Sequence, residues 1–576
     1  MIKPKKSVEE MTGYFVPMYE DSYEIKIDSN ENNYGPSPLV IEALKNCDYK
    51  DISFYPFYGE LSQKIADFYG FNIENIKVTN GADEALQGII QTYIEENDTL
   101  LTLNPSFEMP NIYATIQGAK IKKVDFEEKW VFPIDKFIEN ITDEVKIIYL
   151  SSPNNPTGNI IEEKDLIKII EKAQNKIIII DETYANYCGI SYKDYAKEYD
   201  NIFITRSFSK DFALAGMRLG CVISNEENIK NLKKVISPFS VNTFAMKAGI
   251  IALSDITYFE NIKKEILSSK EELKLFFEQL NFKVYDSKAN FLLIDCKEKA
   301  EFIYTKLKKE NIAIKLFKQG SYLENHVRIT IPTKLGVEKI KNILQEKPFL
   351  VFDMDGVLID ASKSYRLAIE KTYEHFANEP ISQKEIQDAK NLGGLNNDWD
   401  LTDYLLKKKD INIKYSDLVD KFQSLYWNNG NGFINNEDTL FDVNLFKELS
   451  KTYNLAIFTG RLRAEAMFAL KKFNAENLFC PIITTDDIPE GKGKPDSFGL
   501  NLIKEKTYSN QYYYFGDTVD DVTSAVNANY VATGVLPPQD KTEELTQSLK
   551  TKGAKFVLKS INDIETILEQ NNERVR

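Results

Sequence analysis

Short runs of β-branched residues alternate along the chain with longer stretches of helical spacing. KIIYLSS (146–152), KIIIIDE (176–182) and NIFITRSF (201–208) each hold a run of consecutive apolar residues, IIYL, IIII and IFI. Such runs predict parallel strands buried on both faces. Segments between them, such as EEKDLIKIIEKAQ (162–174), carry helical periodicity. The βαβ rhythm predicts an α/β fold with a large, mainly parallel sheet covered by helices. A charged helical run over 261–279, followed by FKVYDSKANFLLIDC (282–296), predicts a smaller α+β lobe that ends near Gln345. After Glu346, Lys347 and Pro348, the strand rhythm resumes with FLVFD (349–353), NLAIFTG (454–460), PIITTDD (481–487) and YYYFGDT (512–518). The intervening stretch, about 362–450, is helical in pattern and too long for a simple crossover, which predicts an inserted cap. The chain thus divides into 1–345, a short linker 346–348, and 349–576.

Length supports this division, since 576 residues exceed a single domain. A net charge of −15 argues against a nucleic-acid face. Five dispersed cysteines without metal spacing suit a reducing cytoplasm. The first residues lack the apolar core of a signal peptide, and no apolar run reaches bilayer length, so no membrane partner is expected.

The first chemistry sits at predicted strand ends. Lys210 lies between hydroxyls in RSFSKDFALAGMRLG (206–220), with Ser207, Ser209 and Arg218 nearby. Hydroxyls with a guanidinium make a plausible phosphate clamp. SSPNNPTG (151–158) and DETYANY (181–187) each follow a strand, which places Asp181 where open α/β sheets bind ligands.

These motifs, in order with NENNYGPSP (30–38), FYP (54–56), NGADEA (80–85), NPSFEMP (104–110), ANFLL (289–293) and VRIT (327–330), resemble the fold type I pyridoxal-phosphate aminotransferases. The nearest subgroup is the histidinol-phosphate aminotransferases. The resemblance covers about 1–345. It implies that Lys210 joins the cofactor aldehyde and later moves the α-proton. It also implies that Asp181 pairs with the pyridinium nitrogen, Asn155 and Tyr184 bond the phenolic oxygen, and Phe107 stacks on the ring. Ala82 and Asp83 would offer N–H groups to the cofactor phosphate, completed by Ser207, Ser209 and Arg218. Tyr55 would reach the cofactor phosphate of a second subunit, which implies a homodimer. Arg328 would grip the amino donor's carboxylate, with Tyr34 also lining the substrate site. Family members often carry further arginines near the substrate phosphate, whereas IAIKLFKQGSYLENH (312–326) offers Lys315 and Lys318.

In the second part, DMDGV places Asp353 at a strand tip and Asp355 two residues on. TGR (459–461), GKGKPD (491–496) and GDTVDD (516–521) follow in order. This set resembles the haloacid dehalogenase-like phosphatases, with a Rossmann-like core and a helical cap, over about 348–573. The resemblance implies Asp353 as nucleophile and Asp355 as general acid and base. Mg²⁺ would sit between Asp353, the backbone carbonyl of Asp355 and Asp517, supported by Asp521 rather than Asp520. Thr459, Gly460 and Lys494 would hold the phosphoryl oxygens. An acid at 355 favours a phosphatase over a dehalogenase. Asn396, Asn397, Asp398 and Trp399 are candidates for cap specificity, against a purely structural turn.

Together the halves imply transamination of a phosphorylated keto alcohol, with glutamate or glutamine as donor, and then dephosphorylation. The related histidinol phosphatases are compact and uncapped, with a Cys/His zinc loop that this chain lacks. That favours dihydroxyacetone phosphate, giving serinol phosphate and then serinol for capsular polysaccharide or secondary metabolism. Imidazole acetol phosphate, giving histidinol, is the alternative, and a metabolite-sensing scaffold is a third reading.

Overall fold

The structure, a computed structural model, describes residues 2–11, 13, 23–390 and 397–568. Two compact units emerge, Met1–Leu344 and Gln345–Arg576.

In the first unit a seven-stranded sheet runs in the order Ile76–Thr79, Gly220–Ile223, Ile202–Ser207, Ile177–Asp181, Val145–Ser151, Thr99–Asn104, Lys120–Asp125. Gly220–Ile223 is antiparallel to both neighbours, and the other pairings are parallel. The apolar runs at 146–152, 176–182 and 201–208 form three adjacent central strands. Ile148, Ile178, Ile180, Ile202 and Ile204 are buried in one core cluster, and Ile147, Tyr149, Ile179 and Phe203 in another. Apolar side chains on both faces explain why these strands carry no polar alternation.

A smaller antiparallel sheet follows, in the order Lys315–Leu316, His326–Thr330, Phe291–Asp295, Lys283–Val284. Helices Ile256–Gln279, Ala300–Lys309 and Lys334–Leu344 accompany it. The first of these begins five residues before the charged run at 261 because Ile256 and Phe259 still pack on the large-sheet core.

The second unit holds a six-stranded parallel sheet in the order Ile482–Ile483, Asn454–Phe458, Phe349–Phe352, Tyr512–Gly516, Val531–Val535, Phe556–Leu558. Between the first and second of these strands in chain order lie helices Tyr365–Ala377, Gln383–Lys390, Asp398–Lys407 and Tyr415–Tyr426. They share their own apolar core of Ile369, Leu401, Leu405, Phe422 and Tyr426. A two-stranded antiparallel ribbon, Ile359–Asp360 with Asp438–Thr439, ties the two connections of this cap together at its base.

The cap is shorter than the expected span to about 450. Helix Val443–Thr452 buries Phe446 and Leu449 against Phe352 and Ile457 of the sheet core, so it belongs to the core. Among the described residues no helix is long and apolar enough to cross a membrane, and the five cysteines are unpaired thiols.

Candidate active sites

In the first unit the strand register brings the candidate residues together. Asp181 and Thr205 are direct neighbours across adjacent parallel strands, and Thr205 Oγ1 donates to Asp181 Oδ1 at 3.1 Å. Asp181 also accepts from Thr183 Oγ1 at 2.7 Å, from the Thr183 N–H at 3.1 Å, and from Tyr149 Oη at 3.0 Å. Burial raises its carboxyl, and these donors oppose the shift. A buried carboxylate held this way is matched to a cationic ring nitrogen. Tyr149 was hidden within an apolar run, where it read as core.

Lys210 follows the strand Ile202–Ser207, and its Nζ donates to Ser29 O at 2.8 Å. Burial, with the nearby Arg328 guanidinium, pushes its amine down to about 8. Part of the amine is therefore neutral, and nucleophilic, near neutral pH. Tyr184 Oη accepts from Asn30 Nδ2 at 2.9 Å, and Asn30 is in turn fixed by Thr330. Arg328 Nη1 donates to Asn155 Oδ1 at 2.6 Å, so the amide nitrogen is the side of Asn155 left to donate. Asn154, beside it, is structural and bonds Ser106, Pro105 and Thr157.

Helix Gly81–Tyr93 opens beside Arg218, whose Nη2 lies 2.8 Å from Asp83 Oδ2. Gly81 has φ +76°, and a Cβ there would stand 2.8 Å from that same nitrogen. Gly220 is equally constrained, since a Cβ would lie 2.7 Å from the Ala82 nitrogen. Backbone N–H groups at a helix start, buried Ser207 and Ser209, and a guanidinium make a cradle that fits a phosphate. Phe107 packs on the core cluster that holds Ile147, Tyr149 and Phe203. Tyr34 Oη is buried with no hydrogen-bond partner among the described residues. Tyr55 is 79% exposed and stacks on Phe239 at 4.4 Å, away from these contacts. Lys315 pairs directly with Arg328 across antiparallel strands, and burial and that cation both lower its amine. Like charges set opposite one another are unfavourable unless an anion joins them.

In the second unit three strand tips converge. Asp353 continues Phe349–Phe352, and its N–H donates to Phe515 O at 2.8 Å. Thr459, on the neighbouring strand's end, is buried and accepts from the Arg461 N–H at 3.2 Å, while the Gly460 carbonyl accepts from Thr485 at 2.6 Å. Lys494 Nζ lies 2.7 Å from both Asp353 Oδ1 and Asp521 Oδ1. Asp353, Asp517 and Asp521 each offer a carboxylate oxygen within 4.8 Å of the others. Gly356, at φ +76°, lets the DMDG turn approach: a Cβ there would stand 2.2 Å from Asp517 Oδ2. Burial, with Asp521 and Asp355 adding negative charge, pushes Asp353 up to about 7 against the pull of Lys494. Asp517 is raised by burial and by Asp521. Three crowded carboxylates of hard oxygen character fit a divalent cation such as Mg²⁺. Asp521 also caps its helix, accepting from Thr518 N and Oγ1. The Asp355 side chain is not part of this trio and pairs with Arg461 at 2.6 Å.

Asn396 lies outside the described residues. Asn397 caps helix Asp398–Lys407 by accepting from the Trp399 N–H, a structural role. Asp398 pairs with Lys390 at 2.9 Å, and Lys390, on a cap helix, feels the charge of Asp517. Arg461 lies within TGR (459–461), and neither it nor Lys390 carries a role from the sequence alone.

Comparison with known proteins agrees with this geometry. A family model described as aminotransferase class I and II matches residues 23–346, and one for haloacid dehalogenase-like hydrolases matches 350–535. The histidinol-phosphate aminotransferase of Clostridium novyi (strain NT) is 35% identical over 272 residues, spanning 46% of this chain and 76% of that protein. That of Brachyspira hyodysenteriae is 33% identical over 351 residues, spanning 59% and 97%. The histidinol-phosphate aminotransferase of Sinorhizobium meliloti, solved with pyridoxal-5'-phosphate, shares the fold at TM-score 0.55 and 19% identity, over 59% of this chain and 96% of that one. The chain belongs to the class I and II aminotransferases, enzymes that use pyridoxal phosphate, and it carries a haloacid dehalogenase-like hydrolase domain behind the aminotransferase domain.

Proposed function

We propose that this enzyme transfers an amino group to a phosphorylated keto alcohol and then removes the phosphate, releasing a free amino alcohol. The observation that carries the reading is the presence in one chain of the Lys210–Asp181 site and the Asp353–Lys494–Asp521 site. Pyridoxal phosphate, when bound, supplies an aldehyde to carry the amino group and a ring that takes up the electron pair left on the substrate carbon. Lys210 moves the α-proton. Asp181, held by Tyr149, Thr183 and Thr205, keeps the ring nitrogen protonated. Arg218, Ser207, Ser209 and the N–H groups of Ala82 and Asp83 hold the cofactor phosphate. Arg328 and Lys315 face the anionic ends of donor and acceptor.

In the second site Asp353 attacks phosphorus while Thr459, Gly460 and Lys494 hold the phosphoryl oxygens, and Asp355 passes the protons. Mg²⁺ would be held by Asp353, Asp517 and Asp521, with the Asp355 carbonyl, and would balance the crowded charge.

Dihydroxyacetone phosphate is the substrate we favour, giving serinol phosphate and then serinol. The helical cap beside the hydrolase core supports a small, enclosed ester. A second reading, imidazole acetol phosphate to histidinol, is favoured by the relatives, which are histidinol-phosphate aminotransferases. A homodimer with Tyr55 shared across the interface is supported by an exposed apolar stretch, with Ile52, Phe54, Tyr55 and Phe57 all more than 60% exposed. Asp353→Asn tests the order of steps. With keto phosphate and donor, that variant should accumulate the phosphorylated amine, and release of free amine by it would refute the assignment.

A further inference from the structure

Beside the hydrolase site lies a buried charge cluster that the reading above leaves unused. Arg461, next after Thr459 and Gly460, has a fully buried guanidinium. Its Nε donates to both oxygens of Asp355 at 3.2 Å, and its Nη2 to Asp355 Oδ1 at 2.6 Å. The remaining edge donates to Glu437, Nη1 to Oε2 and Nη2 to Oε1, each at 2.9 Å. Glu437 is also fully buried.

Glu437 sits on the chain returning from the cap, immediately before the ribbon strand Asp438–Thr439. Its Oε1 accepts from Ser364 Oγ at 2.8 Å, and Ser364 opens the first cap helix, Tyr365–Ala377. The Tyr365 ring lies 5.2 Å from the guanidinium, and its hydroxyl donates to Glu465 at 2.7 Å. One guanidinium thus touches Asp355, the outgoing cap connection at Tyr365, and the returning connection at Glu437. Burying such a triad is expensive compared with apolar packing, so stability does not explain it. A planar fork with two carboxylates does fix orientation.

We propose that Arg461 is a positioning residue that ties the Asp355 carboxyl to both connections of the cap, so that Asp355 is aligned for proton transfer only while Glu437 and Ser364 hold the guanidinium in place. The inference rests on the phosphatase reading above. In that reaction a bond forms between Asp353 Oδ and phosphorus as the P–O ester bond breaks, and the leaving oxygen takes the proton of Asp355. Water then attacks the aspartyl phosphate, gives a proton to Asp355, and leaves inorganic phosphate with Asp353 restored.

Leaving groups separate the two roles. Nitrophenolate departs without a proton, whereas an alkoxide requires one. The test compares the full chain with Glu437→Gln in Mg²⁺, using p-nitrophenyl phosphate and serinol phosphate, by rapid mixing and at steady state. The variant should give a nitrophenol burst of about one equivalent per site, since attack by Asp353 needs no acid, followed by slow turnover. Its kcat on serinol phosphate should fall about tenfold or more, with KM changed by less than about threefold. Ser364→Ala, which removes one hydroxyl, should show the same pattern more weakly, and it decides the matter if Glu437→Gln does not fold. Equal loss on both esters without a burst, or no change on either, overturns the positioning role. A wild-type chain that releases phosphate from neither ester overturns instead the phosphatase reading beneath it.

Discussion

The Lys494 amine stands 2.7 Å from Asp353 Oδ1, with both side chains about nine-tenths buried. The same amine bridges to Asp521 at 2.7 Å. It thus contacts two members of a cluster of three carboxylates. Removing it leaves buried negative charge unpaired, which costs roughly 3–5 kcal/mol in comparable pairs. Lys494→Met should therefore lower phosphate release by about 100-fold or more, since the phosphoryl oxygens also lose their partner. A phosphate-release assay reads this directly, and a loss under threefold would contradict the role.

Lys210 gives a pH prediction. Burial and the Arg328 charge lower its amine to about 8 from 10.5. The neutral amine is the reactive form, so uptake of pyridoxal phosphate by the cofactor-free protein should speed up as pH rises, with a midpoint near 8. Arg328→Gln removes a neighbouring positive charge, which lets the amine hold its proton more tightly. The midpoint should then move upward. Stopped-flow absorbance checks both, and a downward move would contradict the assigned cause.

Tyr149 offers a milder test of the ring-nitrogen site. Its hydroxyl donates to Asp181 Oδ2 at 3.0 Å. Tyr149→Phe deletes one of four donors, worth about 1 kcal/mol, so cofactor affinity should fall about fivefold. Asp181→Ala should abolish transamination. Equilibrium dialysis with pyridoxal phosphate measures the first, and a coupled assay for the oxo acid the second.

The proposed homodimer predicts complementation. If Tyr55 serves the neighbouring subunit, mixing Tyr55→Ala with Lys210→Ala should restore sites made of the intact halves of each. Phe57→Glu, at 86% exposure, should shift the chain from dimer to monomer in sedimentation. A dimer that survives this change, with no regained activity on mixing, would place the interface elsewhere.

Metal dependence is the fifth consequence. Chelation should stop phosphate release and leave pyridoxal phosphate bound, and Mg²⁺ should restore release. Asp517→Asn should raise the Mg²⁺ concentration needed, because one of three carboxylates is neutralised. Release that continues undiminished in chelator would remove the metal from the site.

Much of both sites was legible because parallel strands deliver residues to one edge of a sheet. Asp181, Asp353 and Thr459 each follow an apolar run, and the run announces the tip. Tyr149 was not legible, since inside KIIYLSS a tyrosine is indistinguishable from core until its hydroxyl finds Asp181. Helix Val443–Thr452 has the same amphipathic pattern as the cap helices, and only its packing against Phe352 assigns it to the core. The link from Arg461 back to Glu437 spans 24 residues and passes through burial, for which a lone glutamate gives no sequence signal. Gly81 and Gly356 were read as parts of motifs, and the structure gives the steric reason for each.

On the proposed function, one chain converts a keto phosphate to a free amino alcohol. The most direct test is mass spectrometry of products from the purified chain with pyridoxal phosphate, Mg²⁺, glutamate and glutamine. Dihydroxyacetone phosphate and imidazole acetol phosphate would be supplied in separate reactions. The account predicts serinol and inorganic phosphate from the first, in amounts equal to the oxo acid formed. Histidinol from the second alone would keep the two steps and change the substrate. An amine that keeps its phosphate, or no amine from either, would contradict the account.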